Sequence, residues 1–471
     1  MTPSTHLQAQ RHRCLLLACI GLALAQAVGA KQVFGLDFSI GANFTTDTFS
    51  DSGFVPSDTM GAVGPDHLAL LINGRFSVHD QNGNFLLGKS LNQFWTDAGV
   101  TPQGDFAFDP RILYDPHSSR WFAAAVDNKL APNNILLAVS ESENPTDSWT
   151  GFQVDSDAAN RGWADFPMLG INADVVAVSA KLIGRPGGGG ILAVFPKAEL
   201  LGATPSIANA TLQDSRGEHV AVDLDNGPLP LPMIDGKPKI IGELWTGEIT
   251  GTPEAPTALT GPLVFVPARL LPADVEQPGP VTPIHALDHR FSGSVVLQNG
   301  NLWAAHGIGL DGRAAIEWYE FDPTNWNVIQ SDVISHASLG LAYPSIAVND
   351  HEDVVIGFSA GDPNTFMGSY AVVGRTQAGV TTFSPITQLK DGQALYDRTD
   401  DSGRNRWGDY SATVIDPLNE EHFWTFQQYV IDTDEWAVQV TEIIVPEPSG
   451  WNLAVSLCLV LALHDGRFLT R

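Results

Sequence analysis

Four segments of the chain share one spacing of apolar and polar positions. Each segment opens with Pro or Ser, and mostly apolar residues follow two and four positions later. A spacing of two places both side chains on the same face of a strand. Asp or Asn stands five positions after the opening residue, where its side chain suits a turn, and a second apolar stretch follows. Each segment is therefore predicted to form a β-hairpin. The four opening residues are Pro110, Pro167, Pro344 and Ser411.

Fainter copies of this pattern predict a repeat architecture. They begin near Thr59, Pro232 and Ser292, and the seven opening residues lie 51 to 67 residues apart. A four-stranded propeller blade needs about 45 residues, so each period can hold one sheet with longer loops. We therefore expect an all-β fold, a seven-bladed β-propeller over residues 31–445, with six or eight blades as alternatives. An array of β-sandwiches is the other architecture that fits this pattern.

The N-terminal residues have the order of a secretory signal peptide. Arg11 and Arg13 precede a short apolar core, and small residues follow it. This core is too short for a comfortable membrane span. We predict a signal peptide over residues 1–30, cleaved after Ala27 or Ala30. A lipoprotein signal with Cys19 as the lipidated residue is the alternative.

Composition narrows the range of functions. The chain carries 25 basic and 53 acidic residues, a net charge of −28, and nucleic acid is an unsuitable partner because phosphate binding needs a basic face. All three cysteines lie in the terminal segments, which excludes disulfides and thiolate zinc sites from the body. No cofactor is required by the sequence. Calcium at an acidic turn, such as residues 349–353 or 432–435, is the candidate.

The C-terminus combines a Pro-Glu-Pro motif, an apolar run and a thin basic tail. The motif is Pro446, Glu447 and Pro448, and the apolar run extends from Trp451 to Leu463. This resembles the PEP-CTERM sorting signal of Gram-negative bacteria. The resemblance implies that an exosortase processes residues 446–471 during export, often in bacteria that make exopolysaccharide, after a transient membrane association. The run is shorter than the roughly 20 residues of a membrane-spanning helix, so a buried C-terminal helix is the alternative.

The body also resembles a group of uncharacterised secreted bacterial proteins of propeller-like fold. The segments that carry the resemblance are "SDTMGAVGPDHLALLINGRFSVHD", "YPSIAVNDHEDVVIGFS" and "RNRWGDYSATVIDPLNEEHFW". It implies the fold and a secreted or cell-surface location. It transfers no catalytic residue.

Two segments place an acidic residue two positions before the opening residue, next to Trp and near Arg. They read "RGWADFP" and "RWGDYS". Loops at one mouth of a propeller commonly form its binding site, and carboxylates there can hold a cation or accept hydrogen bonds from sugar hydroxyls. Turn-capping Asp residues, with Trp packed between blades, are the alternative. The candidate binding residues are Asp109, Arg161, Asp165, Arg406 and Asp409, with Asp58 as a further member.

No motif in the sequence identifies a reaction. "HALDH" places His285 and His289 four residues apart, but the flanking residues favour loop and strand, and no third zinc ligand is evident. We therefore expect a non-catalytic surface or extracellular-matrix protein that binds glycan or protein. The alternatives are a carbohydrate-active propeller enzyme, either a glycoside hydrolase or a lyase, and a purely structural component of an extracellular layer.

The sorting interpretation predicts that Glu447 is needed for removal of the tail. Replacing Glu447 in the native host should block processing, because the sorting enzyme reads the Pro-Glu-Pro motif. Mass spectrometry of the C-terminus should then show a longer chain for the variant. The same C-terminal mass for variant and parent would refute the interpretation.

Overall fold

Strands dominate the computed structural model, which describes residues 36–236 and 242–447. Strands make up 56% of the described residues and helices 4%, which confirms the all-β prediction. The chain divides into a first unit, Met1–Asp37, and a second unit, Phe38–Arg471. Every described strand belongs to the second unit, whereas residues 36 and 37 form neither strand nor helix.

The first third of the second unit contains three antiparallel meanders in chain order. Their strand orders are β2-β3-β4-β5, β6-β7-β8-β9 and β10-β11-β12-β13, whereas β1 pairs elsewhere. The bounds are β1 (Ser39–Thr48), β2 (Gly61–Val63), β3 (His67–Ile72), β4 (Arg75–Asp80), β5 (Phe85–Ser90), β6 (Ala107–Asp115), β7 (Arg120–Asp127), β8 (Asn134–Ser140), β9 (Trp149–Asp155), β10 (Trp163–Ile171), β11 (Val175–Ile183), β12 (Gly190–Pro196) and β13 (Thr211–Ser215).

The middle third forms two further antiparallel groups and one bridging strand. The groups are β14-β16-β17-β18, with β19 paired to β17, and β20-β21-β22-β23. The bridging strand β15 pairs in parallel with both β10 and β20. The bounds are β14 (His219–Val220), β15 (Val222–Asp223), β16 (Leu231–Gly236), β17 (Glu243–Thr252), β18 (Ala255–Thr260), β19 (Val264–Phe265), β20 (Val296–Gln298), β21 (Asn301–Leu310), β22 (Arg313–Asp322) and β23 (Asn327–Ile334).

The last third completes a ring that the N-terminal strand closes. One sheet has the order β24-β25-β26-β27, with β28 on β26, and the other has the order β1-β31-β30-β29. Ser39 of β1 is the register partner of Ile444, so the two ends of the described chain are hydrogen-bonded within one sheet. The bounds are β24 (Gly340–Val348), β25 (Asp353–Asp362), β26 (Thr365–Gln377), β27 (Val380–Phe383), β28 (Thr387–Lys390), β29 (Ala412–Asp416), β30 (Asn419–Asp432) and β31 (Glu435–Ile444).

The fold is a β-propeller, as predicted, but the number of sheets differs from the prediction. The described strands form six hydrogen-bonded sheets and not seven. The physical reason is the two-residue strand β15, whose parallel pairs join the β10–β13 and β20–β23 meanders into one nine-stranded sheet. Spacing along the sequence locates each hairpin, but it contains no information about lateral pairing between distant strands.

The predicted hairpins lie at the expected positions. Pro110, Pro167 and Pro344 lie within β6, β10 and β24, the first strands of their sheets. Asn172 shows why a polar residue follows five positions later. Its side-chain oxygen accepts hydrogen bonds from the backbone N–H groups of Asp174 and Val175, both at 2.9 Å, which stabilises the turn between β10 and β11.

Helices in the described residues are short and lie in connections. Their bounds are α1 (Phe49–Ser52), α2 (Leu91–Asp97) and α3 (Lys197–Leu200). None of them has the length and apolar character that a membrane crossing requires. The signal peptide predicted at 1–30 lies outside the described residues, as does most of the sorting signal predicted at 446–471.

The described part of the sorting motif contacts the last sheets. The backbone carbonyl of Pro446 accepts a hydrogen bond from Nη2 of Arg375 at 2.7 Å. The carboxylate of Glu447 lies 3.2 Å from Nε2 of His351. Pro448 is outside the described residues, so sorting stays a prediction.

Neighbouring sheets pack face to face through apolar side chains, and glycines allow the closest approaches. Gly61 in β2 lies against the ring of Phe426 in β30. A Cβ atom at position 61 would lie 2.3 Å from that ring. Phe426 is fully buried, so the ring has little room to move away.

This packing predicts that Gly61→Ala destabilises the protein by about 1–3 kcal/mol, the usual cost of overpacking a tight core. Chemical denaturation followed by tryptophan fluorescence measures the effect. Gly202→Ala is the matched control, because a Cβ atom there meets no atom closer than 3.4 Å. The double variant with Phe426→Leu should recover part of the loss. Equal stability of Gly61→Ala and the parent would contradict the packing argument.

Candidate functional site

The inner strands share an unusual backbone conformation just before their opening residues. Asp58, Asp109, Phe166 and Tyr343 have φ values of 47°, 51°, 55° and 56°. Such left-handed conformations are uncommon for residues other than Gly, and they persist where the surrounding structure imposes them. The strand pairing shifts register at three of these places, for example between Phe108 and Arg111. The repeated bulge interrupts the regular alternation of the side chains.

Four aspartates converge at this level from four different sheets. Asp58 and Asp409 precede β2 and β29, whereas Asp109 and Asp165 lie in β6 and β10. Oδ1 of Asp58 accepts a hydrogen bond from the backbone N–H of Asp409 at 2.7 Å. Oδ2 of Asp109 accepts one from the backbone N–H of Phe166 at 2.9 Å. We call Asp58, Asp109, Asp165 and Asp409 the carboxyl cluster.

Asn73 completes the network between two members of the cluster. Its Nδ2 donates to Oδ2 of Asp58 at 2.6 Å, and its Oδ1 accepts from the backbone N–H of Asp109 at 2.8 Å. The carboxyl groups therefore also connect neighbouring sheets to one another. These hydrogen bonds give the aspartates a structural role, as the alternative interpretation described.

The carboxyl cluster has a buried side and a more open side. Asp58 and Asp109 are 1% and 7% exposed, whereas Asp165 and Asp409 are half-buried. An external molecule can therefore reach Asp165 and Asp409 more readily than the other two.

Burial and mutual repulsion change the protonation of the cluster. Burial, followed by the charges of Asp109 and Asp409 and a hydrogen bond with Asp109, raises the pKa of Asp165 to about 8. Burial and the charge of Asp409 also raise the pKa values of Asp58 and Asp109. The hydrogen bond between the carboxyl groups of Asp165 and Asp109 raises the first pKa and lowers the second. The raised pKa favours the protonated form of Asp165 at neutral pH.

A buried guanidinium lies next to the cluster. Arg111 is 2% exposed, and its Nε donates to the carbonyl of Pro167 at 2.9 Å. Its guanidinium lies 3.6 Å from the centre of the Tyr410 ring, and the Tyr410 hydroxyl lies 3.3 Å from Oδ2 of Asp109 as a donor. Burial lowers the pKa of Arg111. This positive charge partly offsets the negative charge of the cluster.

Two further cations flank the open side. Nη2 of Arg406 lies 2.9 Å from Oδ1 of Asp409. The guanidinium of Arg290 lies 4.3 Å from the centre of the Phe166 ring and pairs with Asp288 at 2.9 Å. Both guanidiniums are partly accessible, and they give this side of the cluster a mixed charge.

The structure brings together four of the five predicted binding residues, namely Asp109, Asp165, Arg406 and Asp409. Arg161 makes its ion pair with a residue outside this group. Its side chain is 48% exposed and pairs with Asp157, four residues earlier, at 3.0 Å. The segments "RGWADFP" and "RWGDYS" are similar because each lies at the start of a strand. Their arginines form different local ion pairs, Arg161 with Asp157 and Arg406 with Asp409.

Sequence reasoning missed four further residues, of which Tyr410 alone belongs to one of these two segments. Arg111, Tyr410, Arg290 and Asn73 all contact the cluster or its immediate partners. Arg111 directly follows the opening residue Pro110, and Tyr410 directly precedes Ser411, so their positions in the repeat were an available signal. Trp407 is buried and donates to Oγ of Ser359 at 3.2 Å, which fits the packing role considered for it.

A separate group of possible metal ligands lies on the surface. Within the described ranges, ligand atoms of Asp350, His351 and Glu420 lie within 4.8 Å of one another, and all three residues are exposed. Asp350 and His351 belong to the acidic turn at 349–353. Calcium binding there stays a prediction.

Comparison with known proteins gives similarity of fold without a family. No family model and no curated protein matches the chain. A hypothetical selenium-binding protein from Sulfolobus tokodaii aligns with a TM-score of 0.43 and 10% identity, covering 69% of this chain and 76% of that one. An α-L-arabinanase from Penicillium chrysogenum aligns with a TM-score of 0.41 and 12% identity, covering 87% and 99%. A Coprinopsis cinerea α-L-arabinofuranosidase catalytic domain aligns with a TM-score of 0.34 and 10% identity, covering 75% and 97%.

These comparisons correct our expectation of a non-catalytic binding protein. The arabinanase and the arabinofuranosidase are carbohydrate-active enzymes, which is the alternative that we named and not the non-catalytic protein that we expected. At identities of 10 to 12% the similarity concerns the fold alone. Any argument for a reaction in this chain has to come from its own side chains.

The carboxyl cluster predicts an unusual dependence of stability on pH. The pKa of Asp165 is about 8 in the folded protein, against 3.8 for an ordinary Asp. The folded state therefore binds this proton more tightly than the unfolded state does. The contribution of Asp165 to stability is complete below about pH 4 and is lost as the pH rises to about 8. Its size is of the order of a few kcal/mol.

Denaturant unfolding from about pH 5 to about pH 9 tests this linkage. Asp165→Asn should keep the fold and flatten the pH dependence, because the Asn amide can donate to Asp109 without titrating. Asp109→Asn should lose about 1–3 kcal/mol at every pH, since a buried acceptor of the Phe166 N–H is weakened. An unchanged pH dependence in Asp165→Asn would contradict the assigned protonation.

Proposed function

We propose that the protein is a carbohydrate-active enzyme, a glycoside hydrolase that works at the open side of the carboxyl cluster. One feature carries this proposal, namely that burial next to other carboxyl groups raises the pKa of Asp165 to about 8. Glycosidases need such a pair, because one carboxyl group must be protonated and the other ionised at the same time.

Asp165 is the general acid in this proposal. Its proton passes to the oxygen of the leaving sugar as the glycosidic bond breaks, and Asp165 becomes a carboxylate. Burial beside Asp109 supplies the raised pKa that an acid catalyst requires at neutral pH.

Asp409 is the partner carboxylate. It comes from a different sheet, is half-buried, and is oriented by Arg406 at 2.9 Å. It assists attack on the anomeric carbon, either by taking a proton from water or by direct attack. Asp58 and Asp109 are positioning residues, because Asp58 holds the Asp409 backbone and Asp109 holds Asp165.

The cations at the same side favour an acidic sugar as the substrate. Arg290 and Arg406 present guanidinium groups to the opening, and guanidinium groups pair well with carboxylates. An acidic sugar would otherwise be repelled by a chain with a net charge of −28. A uronic-acid polysaccharide is therefore the first substrate class to test.

The proposed setting is extracellular. The signal peptide at residues 1–30 and the PEP-CTERM-like signal at residues 446–471 support export and exosortase processing in a Gram-negative bacterium. Extracellular polysaccharide is then both the proposed partner and the proposed substrate, at the cell surface or in the matrix.

The proposal predicts hydrolysis of uronic-acid polysaccharides by the purified full-length protein, detected as newly formed reducing ends. The rate should fall as the pH rises through about 8, because Asp165 must be protonated to act. Asp165→Asn should lower kcat about 100-fold or more and remove this alkaline limb.

Asp332→Asn is the matched control, because Asp332 is exposed and its Oδ1 accepts a single hydrogen bond, from the backbone of Val333. It should retain full activity. Products with an unsaturated uronate would indicate a lyase in place of a hydrolase. Full activity of Asp165→Asn, or no turnover of neutral or acidic polysaccharides, would rule out the proposed role of Asp165.

A further inference from the structure

A small cavity lies away from the carboxyl cluster, between β16, β17, β21 and β22. It offers about 10 Å³ to a water-sized occupant, which is room for a single water molecule or ion. Its lining includes His289, His306, Glu317, Tyr319 and Arg269. Two imidazoles and a carboxylate therefore face one very small space.

Strand register accounts for two of these side chains. His306 in β21 and Glu317 in β22 are direct partners across the antiparallel pair. Directly opposed residues place their side chains on the same face of a sheet. Nε2 of His306 lies 3.9 Å from Oε2 of Glu317.

The hydrogen bonds of His306 leave a nitrogen lone pair in the cavity. Nδ1 of His306 lies 2.7 Å from the carbonyl oxygen of His289, so it carries the hydrogen. Nε2 lies 3.3 Å from the hydroxyl of Tyr319, and that hydroxyl donates its proton to Oε2 of Glu317 at 2.7 Å. When His306 is neutral, its Nε2 therefore carries no hydrogen. It faces the hydroxyl oxygen of Tyr319, whose hydrogen is donated to Glu317.

His289 also places a ring nitrogen at this cavity. The residue is 3% exposed, and its Nε2 has no hydrogen-bond partner among the described residues. The nitrogens available to an ion are therefore the unpartnered Nε2 of His289 and the Nε2 of His306, whose Nδ1 donates to a backbone carbonyl. Metal-binding histidines are oriented in this way.

We propose that this cavity binds one divalent transition-metal ion, with Nε2 of His289, Nε2 of His306 and a carboxylate oxygen of Glu317 as ligands. Two imidazoles on one zinc ion, with bonds of about 2.0 Å, have ring centres about 5 to 6 Å apart. The ring centres of His289 and His306 are 5.7 Å apart. Nitrogen-rich ligand sets of this kind suit zinc and its neighbours in the transition series.

Binding requires a small adjustment of the ligands. The three donor atoms do not all lie within 4.8 Å of one another, so the ring of His289 moves toward Glu317 when the ion enters. Arg269 pairs with Glu317 through Oε1 at 3.0 Å, which leaves Oε2 as the oxygen nearer His306. A cation also resolves the unfavourable contact between the His306 lone pair and the Tyr319 oxygen.

The first test is zinc titration of the full-length protein after chelator treatment, followed by calorimetry and by the melting temperature. One equivalent should bind and raise the melting temperature. His289→Gln and His306→Gln should each weaken binding at least about tenfold. His285→Gln is the matched control from the same "HALDH" segment, because the cavity lining does not include it, and it should bind as the parent does.

Cobalt substitution gives a second readout that does not depend on stability. The visible spectrum of the bound cobalt should change in His289→Gln and in Glu317→Gln and stay unchanged in His285→Gln. Equal zinc affinity in the parent and in His289→Gln would overturn the proposal. Failure of the parent to bind zinc or cobalt would also overturn it, and would leave a proton or a water molecule as the occupant.

Discussion

The buried carboxyl group of Asp109 is the interaction on which the inner part of the propeller depends. It receives the backbone N–H of Phe166 from one sheet and the hydroxyl of Tyr410 from another. Its own backbone N–H is bound by Asn73 from a third. Burying an ionised group is costly unless it is paired and hydrogen-bonded. The hydrogen bonds from Phe166 and Tyr410, together with the nearby Arg111 guanidinium, meet that requirement.

The same network has structural and chemical consequences. Hydrogen bonds from the aspartates join neighbouring sheets where the inner strands bulge, which is a structural role. The confinement that provides these bonds also brings like charges together and raises the pKa of Asp165 to about 8. A carboxyl group placed in this way is suited to acid catalysis because of the contacts that hold the sheets together. Structural and catalytic interpretations of the aspartates are therefore compatible.

The cavity near His289 differs from the carboxyl cluster in how its polar groups are satisfied. The carboxyl cluster relieves its excess negative charge with protons and guanidiniums. The cavity instead holds an unpartnered nitrogen, Nε2 of His289, and the N–H group of the His306 ring is already bonded to the backbone carbonyl oxygen of His289. The carboxyl cluster therefore favours transfer of a proton to a substrate, whereas the cavity favours entry of a cation. The two sites share a single loop, since His289 and Arg290 are adjacent in the chain.

Local periodicity in the sequence was sufficient to predict the all-β propeller, the hairpins and their turn residues, because spacing of two and turn chemistry are properties of neighbouring residues. It also identified Asp109, Asp165, Arg406 and Asp409, which repeat at similar places relative to the opening residues. Only the tertiary structure decided that Arg161 lies outside the site, that β15 joins two meanders, and that Arg111 and Asn73 contact the cluster. It also decided that His289 meets His306 and Glu317, whereas His285 does not. These outcomes depend on which distant strands become neighbours and on how deeply each charge is buried, and neither quantity is encoded in the spacing of residues along one strand.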